Sequence, residues 1–474
     1  MEVIKSEIII NKIRGLYSKE KFVVSTQDGI WYTYEDIMNR AFQIATFLEK
    51  KRIHEVAVIL ENGMALFEFY FACMLSNIMI VPVDPQKSKM EIEDILSNHE
   101  GIYAINNEDF LKKISRMEIK GKEVVERIGR IDLDKVFMTT YTSGSTGRAK
   151  GVRHSLGNLF RSAIIFGETV GFSKRSVVCH TMPMTYMAGI LNTIIMPFIM
   201  ESRIVIFPRF DVMSAISFWK NVEKYQVNTF WLSPTMLNVL LTIDRRGEIK
   251  KYFEEKKPLF CIGTAPLFPK LKRQFEERYS VKLLPSYGLS ETLFLSSQLI
   301  TDTDEESVGT LFPGVDIVFG EDSEIKVFVP WMYLGYNNET TDAYFEGGRY
   351  CTGDLGYLDN GKLHINGRKK DLIIKGGMNI SPKQIEETLL ETGLIRECAV
   401  SSYLEKNEEK IVCWYVPVEE KAEIEHVLND FVIERLGRTC MVDKYIFIDR
   451  IPKNLNGKTD KAELRRQLEN DIKI

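Results

Sequence analysis

Residues 141–152 read YTSGSTGRAKGV, a stretch dominated by glycine and hydroxyl side chains, around which the rest of the chain is arranged. Small residues lie beside Thr142, Ser143, Ser145 and Thr146, so backbone N–H groups are unshielded and can converge on an anion, with the hydroxyls as further donors. Upstream, residues 136–141 (VFMTTY) are β-branched and aromatic and predict a strand. Downstream, Ser155 is placed to cap a helix in which Leu156, Leu159, Phe160, Ala163 and Ile164 recur at helical spacing. Strand, loop and helix in that order make a phosphate cradle, with Arg148 and Lys150 as its cations. A solvated Ser/Gly linker has similar composition. A Walker loop needs G-x-x-x-x-G-K-[ST], a spacing that Gly144, Gly147, Lys150 and Gly151 do not meet.

A chain of 474 residues exceeds what one core usually organises, so two or more domains are expected. Its net charge of −4 gives no broad electrostatic reason to expect nucleic acid or an anionic membrane as partner. The 7 cysteines are scattered, without a C-x-x-C pair, which disfavours a disulfide framework or a zinc site and points to a reducing cytoplasm. The N-terminal residues carry interspersed charge around a short Ile8, Ile9, Ile10 run, so no export signal is read there. The apolar region 64–83 contains Glu68 and Asn77 and ends at prolines, which favours a buried helix and strand over a bilayer span.

Residues 34–48, 64–75 and 89–98 have helical patterns that alternate with short apolar runs at 56–60 and 78–83, the signature of an α/β domain with a parallel sheet. Residues 180–190 (HTMPMTYMAGI) offer adaptable apolar surface at Met182, Met184, Tyr186 and Met187, a pattern that core packing explains nearly as well. His180 reads as a structural histidine. From residue 308 the chain becomes strand-rich, with Asp359-Asn360-Gly361 a strong hairpin turn. Beyond residue 371 comes a compact α+β unit. Its first helix starts at a capping box, Ser381-Pro382-x-Gln384, and ends at Gly393.

Three further strings carry chemistry. In residues 284–292 (LPSYGLSET), Tyr287 can stack on a purine, Gly288 permits close approach, Ser290 can donate to a phosphate oxygen, and Glu291 is a hard oxygen ligand suited to Mg²⁺. Alone, the same string is a helix N-cap. In YCTGDLG, Asp354 can accept hydrogen bonds from both ribose hydroxyls, and Arg368 can reach the same sugar. Near the end, Asn456-Gly457 is a turn that presents Lys458 at its tip; such a lysine is usually only solvated.

Taken in order, YTSGSTGRAKGV, FCIGTAPL, LPSYGLSET, TGD, GRKKD and NGK resemble the adenylate-forming superfamily, which contains acyl-CoA synthetases, peptide-synthetase adenylation domains and beetle luciferases. The resemblance implies an α/β fold: a large AMP-binding domain over residues 1–368 with a small β-barrel part at 308–368, a hinge at 369–370, and a small mobile α+β domain over 371–474. It implies that Thr142, Ser143, Gly144, Ser145, Thr146, Gly147, Lys150 and Ser290 hold the ATP phosphates, and Glu291 the Mg²⁺. Adenine and ribose would lie on Gly263, Thr264, Ala265, Pro266, Ser286, Tyr287, Gly288, Asp354 and Arg368. Tyr186, Met187 and Gly189 would border the acyl pocket, and Gly376 and Gly377 the thiol channel, with Lys370 as hinge and Lys458 as the catalytic cation. Thr264 stands where glycine is common, Ser290 where threonine is usual, and Lys461 where arginine is frequent.

The activity implied is a two-step ligation: a carboxylate attacks the α-phosphate of ATP, and a thiol then displaces AMP. The thiol is CoA or the phosphopantetheine of an acyl carrier protein, and NGKTD stands somewhat closer to peptide-synthetase domains. An α-amino acid needs a carboxylate to balance its ammonium, and Met184, Thr185, Tyr186 and Met187 provide none, which favours an uncharged acyl or aryl acid. A non-catalytic nucleotide or acyl-adenylate sensor is the alternative of a different class; the joint presence of Glu291, Asp354, Arg368 and Lys458 counts against it.

Overall fold

The computed structural model describes residues 4–472, except 108, 113, 115–118, 144–148, 245–246, 338–339, 376, 406–407, 420–423 and 455–456. Gly144, Ser145, Thr146, Gly147 and Gly376 therefore lie outside the described residues. No described helix is long and apolar enough to cross a membrane.

The first sheet takes the strands Tyr336–Asn337, Ala149–Ser155, Val136–Ser143, Met79–Pro82, Glu55–Val58 and Tyr103–Ile105 in that spatial order. Its last four are mutually parallel and short, with apolar runs such as Val56, Ala57 and Val58 buried on both faces. The helix Met64–Ser76 between two of them is apolar all round and fully packed: Phe67, Phe69 and Phe71 are buried, each worth roughly 1.5–3 kcal/mol. Helices Tyr34–Lys50 and Lys89–Ser97 each open with a capping box, Thr33 with Asp36 and Ser88 with Glu91.

The second sheet begins with parallel strands Lys21–Ser25, Arg203–Ile206, Val177–His180, Thr229–Leu232, Leu259–Ile262 and Leu283–Leu289. From Leu283–Leu289 it turns antiparallel and continues through Leu293–Ser297, Thr310–Leu311, Lys362–Arg368, Arg349–Asp359, Glu324–Phe328 and Asp316–Phe319, the strands expected of the barrel part. The hairpin at Asn360-Gly361 has both residues at positive φ, 48° and 77°, as a tight primed turn requires. That turn sets the register from Asp359↔Lys362 to Gly356↔Ile365, and a one-residue shift between Gly356 and Leu355 then brings Asp354 opposite Arg368.

One large apolar cluster runs from Ile9 to Tyr350, and separate clusters occupy the chain from Ile373 onward. The C-terminal unit packs helices Pro382–Glu391 and Glu425–Leu436 on the sheet Ile395–Glu405, Glu408–Pro417 and Lys444–Phe447, with the helix Lys461–Ile472 seated by Leu464 and Leu468 near Trp414.

Three local expectations are corrected. The phosphate-loop segment is not a strand followed by a helix. Strand Val136–Ser143 returns as the antiparallel strand Ala149–Ser155, and only then does helix Leu156–Val170 start, with Ser155 accepting from the Asn158 N–H. The first turn of that helix is thus closed by its own cap. Residues 290–292 likewise link two antiparallel strands and cap no helix. At Ser381 the hydroxyl donates to the Asn366 carbonyl at 2.8 Å instead of closing a capping box, so a tertiary contact overrides the local motif.

Candidate active site

A cavity of about 1890 Å³ opens where the C-terminal unit meets the ends of the second sheet. Thr142, Lys150, Tyr186, Met187, Gly263, Thr264, Ala265, Pro266, Ser286, Tyr287, Gly288, Ser290, Glu291, Asp354, Arg368, Lys370 and Lys458 all line it. These come from strand ends and turns spread over more than 300 positions of sequence, which only folding brings together.

Asp354 is the best-defined anchor. It is 4% exposed, its Oδ1 lies 2.8 Å from Arg368 Nε, and its Oδ2 accepts from the Tyr287 hydroxyl at 2.8 Å. The neighbouring Gly353 takes φ +70°, and the Asp354 N–H donates to Thr352 Oγ1 at 3.0 Å, so the turn itself aims the carboxylate. Burial first, and then the Asp354 charge, push the Tyr287 phenol well above its ordinary range, keeping it a donor. Arg368 is raised by the same carboxylate. Each Asp354 oxygen retains acceptor capacity beyond these bonds, which suits a ribose diol.

Glu291 is held by tyrosines that sequence reasoning had not assigned. Tyr336 donates to Glu291 Oε1 at 2.8 Å, and the Tyr350 hydroxyl lies 3.0 Å from that of Tyr336. Burial and then the Glu291 charge raise both phenols far above normal. Lys150 Nζ contacts the Tyr344 hydroxyl and lies 4.4 Å from the Tyr344 ring centroid and 5.3 Å from that of Tyr336. Nothing along the chain singles out Tyr336, Tyr344 or Tyr350 for that role.

A second unforeseen support is His154. Fully buried, it donates from Nε2 to the Ser290 carbonyl at 2.6 Å, leaving Nδ1 without a partner. Burial pushes it down to about 4, so it stays neutral. His180 is also buried, pushed down to about 3, and bonded to Thr193, which fits the structural role read for it.

Gly288 is required for a reason other than purine approach: a Cβ there would lie 2.0 Å from the Leu293 carbonyl oxygen. Gly189 does not line the cavity; a Cβ on it would meet the Pro183 oxygen at 1.9 Å, so this glycine serves packing. Gly377, at φ +79° between the short strands Ile373–Lys375 and Met378–Ile380, also lies off the cavity. Ser143 ends its strand, paired with Ala149. Thr264 takes φ +72°, a left-handed conformation that β-branched residues avoid, and its hydroxyl is buried without a partner.

Lys458 follows Gly457 in a turn closed by the Gly457 N–H donating to Asn454 O at 2.9 Å and the Lys453–Thr459 bridge. No ion pair engages its ammonium among the described residues. Thr235 of the large unit donates to the Gly457 carbonyl at 2.8 Å, and Asn238 donates to Glu397 at 2.9 Å. Below them, Lys369 pairs with Asp322 at 2.5 Å and Glu324 at 3.1 Å, while Glu324 accepts from the Gly353 N–H at 3.0 Å.

The sequence profile of the AMP-binding enzymes matches residues 16–330, and that of their C-terminal domain matches residues 384–458. The chain is an AMP-binding enzyme. Among relatives of this AMP-binding enzyme is the 2-succinylbenzoate–CoA ligase of Bacillus subtilis, 27% identical over 441 residues, covering 86% of this chain and 87% of that one. Solved structures with the same fold include ATP-bound MatB of Rhodopseudomonas palustris, at 22% identity and TM-score 0.83 over 97% of this chain and 98% of that one. Another is the o-succinylbenzoate CoA synthetase of Bacillus subtilis with its acyl-adenylate intermediate, at 23% identity and TM-score 0.81 over 96% and 97% of the two chains.

The donor set of this AMP-binding enzyme fits magnesium bound together with nucleotide. Among the described residues no group of three or more metal-ligating side chains gathers, and Glu291 offers a lone carboxylate. Mg²⁺ is commonly held that way, by one or two carboxylates plus substrate phosphates.

Proposed function

We infer that this protein is an ATP-dependent carboxylic acid–thiol ligase that forms an acyl-adenylate, releases pyrophosphate, and then transfers the acyl group to the thiol of CoA with release of AMP. The observation that carries the reading is one cavity lined by Asp354 and Arg368, by Glu291, by the apolar wall at Tyr186 and Met187, and by Lys458 from the C-terminal unit. The relatives named as CoA ligases support the choice of thiol. All seven cysteines are free, which supports a reducing cytoplasm as its compartment.

In the first half-reaction a substrate carboxylate oxygen bonds to the α-phosphorus as the bond to the β-phosphate oxygen breaks. Asp354, Arg368 and Tyr287 orient the nucleoside, and Thr142, Lys150 and Ser290 neutralise the departing pyrophosphate. Glu291, fixed by Tyr336, would hold Mg²⁺, which supplies charge neutralisation across the phosphates. Lys458 stabilises charge growing on the α-phosphate and acyl oxygens, a contribution worth on the order of 10²-fold or more. The acid itself is the nucleophile, so the chain's task is alignment.

In the second half-reaction the thiol sulfur bonds to the acyl carbon, AMP leaves, and the thiol proton passes to solvent. We assign residues 1–368 to the large domain, 371–474 to the small one, and Lys370 to the hinge; the break between apolar clusters from Tyr350 to Ile373 supports that division. The present orientation brings Lys458 to the cavity and keeps Gly377 off it, which suits adenylation; rotation about the hinge would exchange the two. ATP–pyrophosphate exchange across fatty, aryl and amino acids, followed by thioester analysis with CoA and with a phosphopantetheinylated carrier protein, tests the reading. AMP and acyl-CoA are expected. ADP as product, or nucleotide binding without exchange on any acid, would overturn it.

A further inference from the structure

On the cavity wall one buried donor faces no partner. Trp231, in strand Thr229–Leu232, is 2% exposed and packs against the rings of Phe166 and Phe294, at 5.0 and 5.3 Å, and its indole N–H has no hydrogen bond among the described residues. The N–H edge faces the Gly263 turn: a Cβ built on Gly263 would lie 3.5 Å from Trp231 Nε1. Asn192 is 4% exposed and lines the same cavity, with no hydrogen bond to its side-chain amide among the described residues. It belongs to the π-helical turn Leu191–Ile195, which interrupts the regular helix that starts at Met187. Such turns re-aim side chains and recur at functional sites.

A buried N–H without an acceptor is costly, and native interiors seldom leave one unpaired without a reason. The reason fits a ligand. The indole is a donor only, so its complement is an acceptor oxygen or nitrogen, while the amide can serve as donor or acceptor. The surrounding wall of Tyr186, Met187, Ala188 and Leu191 carries no cation to match a second carboxylate and no carboxylate to match an ammonium. We propose that the acid activated by this protein carries an uncharged hydrogen-bond acceptor, such as a keto or phenolic oxygen, on its acyl or aryl body, read by Trp231 and Asn192. This deepens the ligase reading and rests on it.

The test is ATP–pyrophosphate exchange by the full-length protein with matched acids: benzoate against its hydroxy- and acetyl-derivatives, hexanoate against its keto-derivatives, and phthalates as dicarboxylates. Trp231→Phe keeps ring packing and removes the donor, and Asn192→Leu provides a second variant away from the aromatic cluster. At least one acceptor-bearing acid is expected to exceed its parent by about 100-fold in kcat/KM, because a site built to bond a polar group rejects the analogue that lacks it. Trp231→Phe should compress that ratio to within about threefold, and Asn192→Leu should compress it by at least about tenfold. Parents that match their acceptor-bearing partners, phthalates as the best substrates, or ratios unchanged in both variants would overturn the proposal while leaving the ligase reading in place. Exchange with no acid would overturn both.

Discussion

Thr235, in the first turn of the helix Pro234–Ile243, donates its hydroxyl proton to the carbonyl of Gly457 at 2.8 Å, one residue before Lys458. The large unit thereby holds the lysine turn by its backbone and leaves the ammonium to the cavity. Lys458→Ala is expected to lower acid-dependent pyrophosphate exchange by at least about 10²-fold while thioester formation from preformed acyl-adenylate continues. Thr235→Val should reduce exchange by roughly five- to tenfold, the loss of one neutral hydrogen bond. Quenched-flow measurement of each half-reaction separates the two, and equal loss of both half-reactions in Lys458→Ala would remove the lysine from the first step.

Lys369 is clamped between Asp322 and Glu324, whereas no hydrogen bond or ion pair engages the next side chain, Lys370, among the described residues. The backbone at Lys370 is where rotation is expected. Lys370→Pro fixes φ there and should retain exchange within about threefold while thioester release falls by at least about 10²-fold. Unchanged overall turnover would place the pivot elsewhere.

Thr264 holds φ +72° beside the nucleotide end of the cavity, with its hydroxyl unsatisfied. Replacement by glycine removes the left-handed strain, and Thr264→Gly should raise stability by about 1 kcal/mol, read as a higher urea midpoint with unchanged slope. A lower midpoint would mean that the threonine methyl packs more favourably than its backbone is strained.

Acid should unfold this protein through its buried histidines. His154 is pushed down to about 4 and His180 to about 3 from an ordinary 6.5, both by burial. Between those values the unfolded chain binds protons that the folded chain does not, so stability is full above pH 6.5 and falls as pH drops toward 4. For His154 the loss is on the order of 3 kcal/mol. His154→Gln, which keeps a donor for the Ser290 carbonyl, should roughly halve the fall of the urea midpoint over that interval, with His180 supplying the rest, and an unaltered slope would assign the acid sensitivity to other groups.

Much of the site was legible because its chemistry is contiguous in sequence. TGD carries its own turn, and the Asn360-Gly361 hairpin is written in the residues that form it, although the register shift that brings Asp354 opposite Arg368 is not. The hairpin at 136–155 was not legible, since Gly151 weakens the second strand's signal. That glycine is there because a Cβ would stand 2.9 Å from Thr139 Cγ2 and 3.0 Å from the Tyr141 ring, a cross-strand constraint invisible along the chain. Tyr336, Tyr350 and His154 escaped for the same reason: each acts on Glu291 or its neighbour from a distant segment. Trp231 is defined by the partner its indole N–H lacks, a property that exists only in three dimensions.

The π turn at Leu191–Ile195 holds one more residue than a regular helix would need over that span. Each residue turns a helix by about 100°, so losing one there would rotate the preceding wall, including Met187 and Ala188, against the strands while the rest of the domain kept its register. Deletion of one residue there is therefore expected to reshape the side of the chamber formed by Met187 and Ala188 and to leave the Asp354–Arg368 pair in place, which a changed range of acids in ATP–pyrophosphate exchange would register.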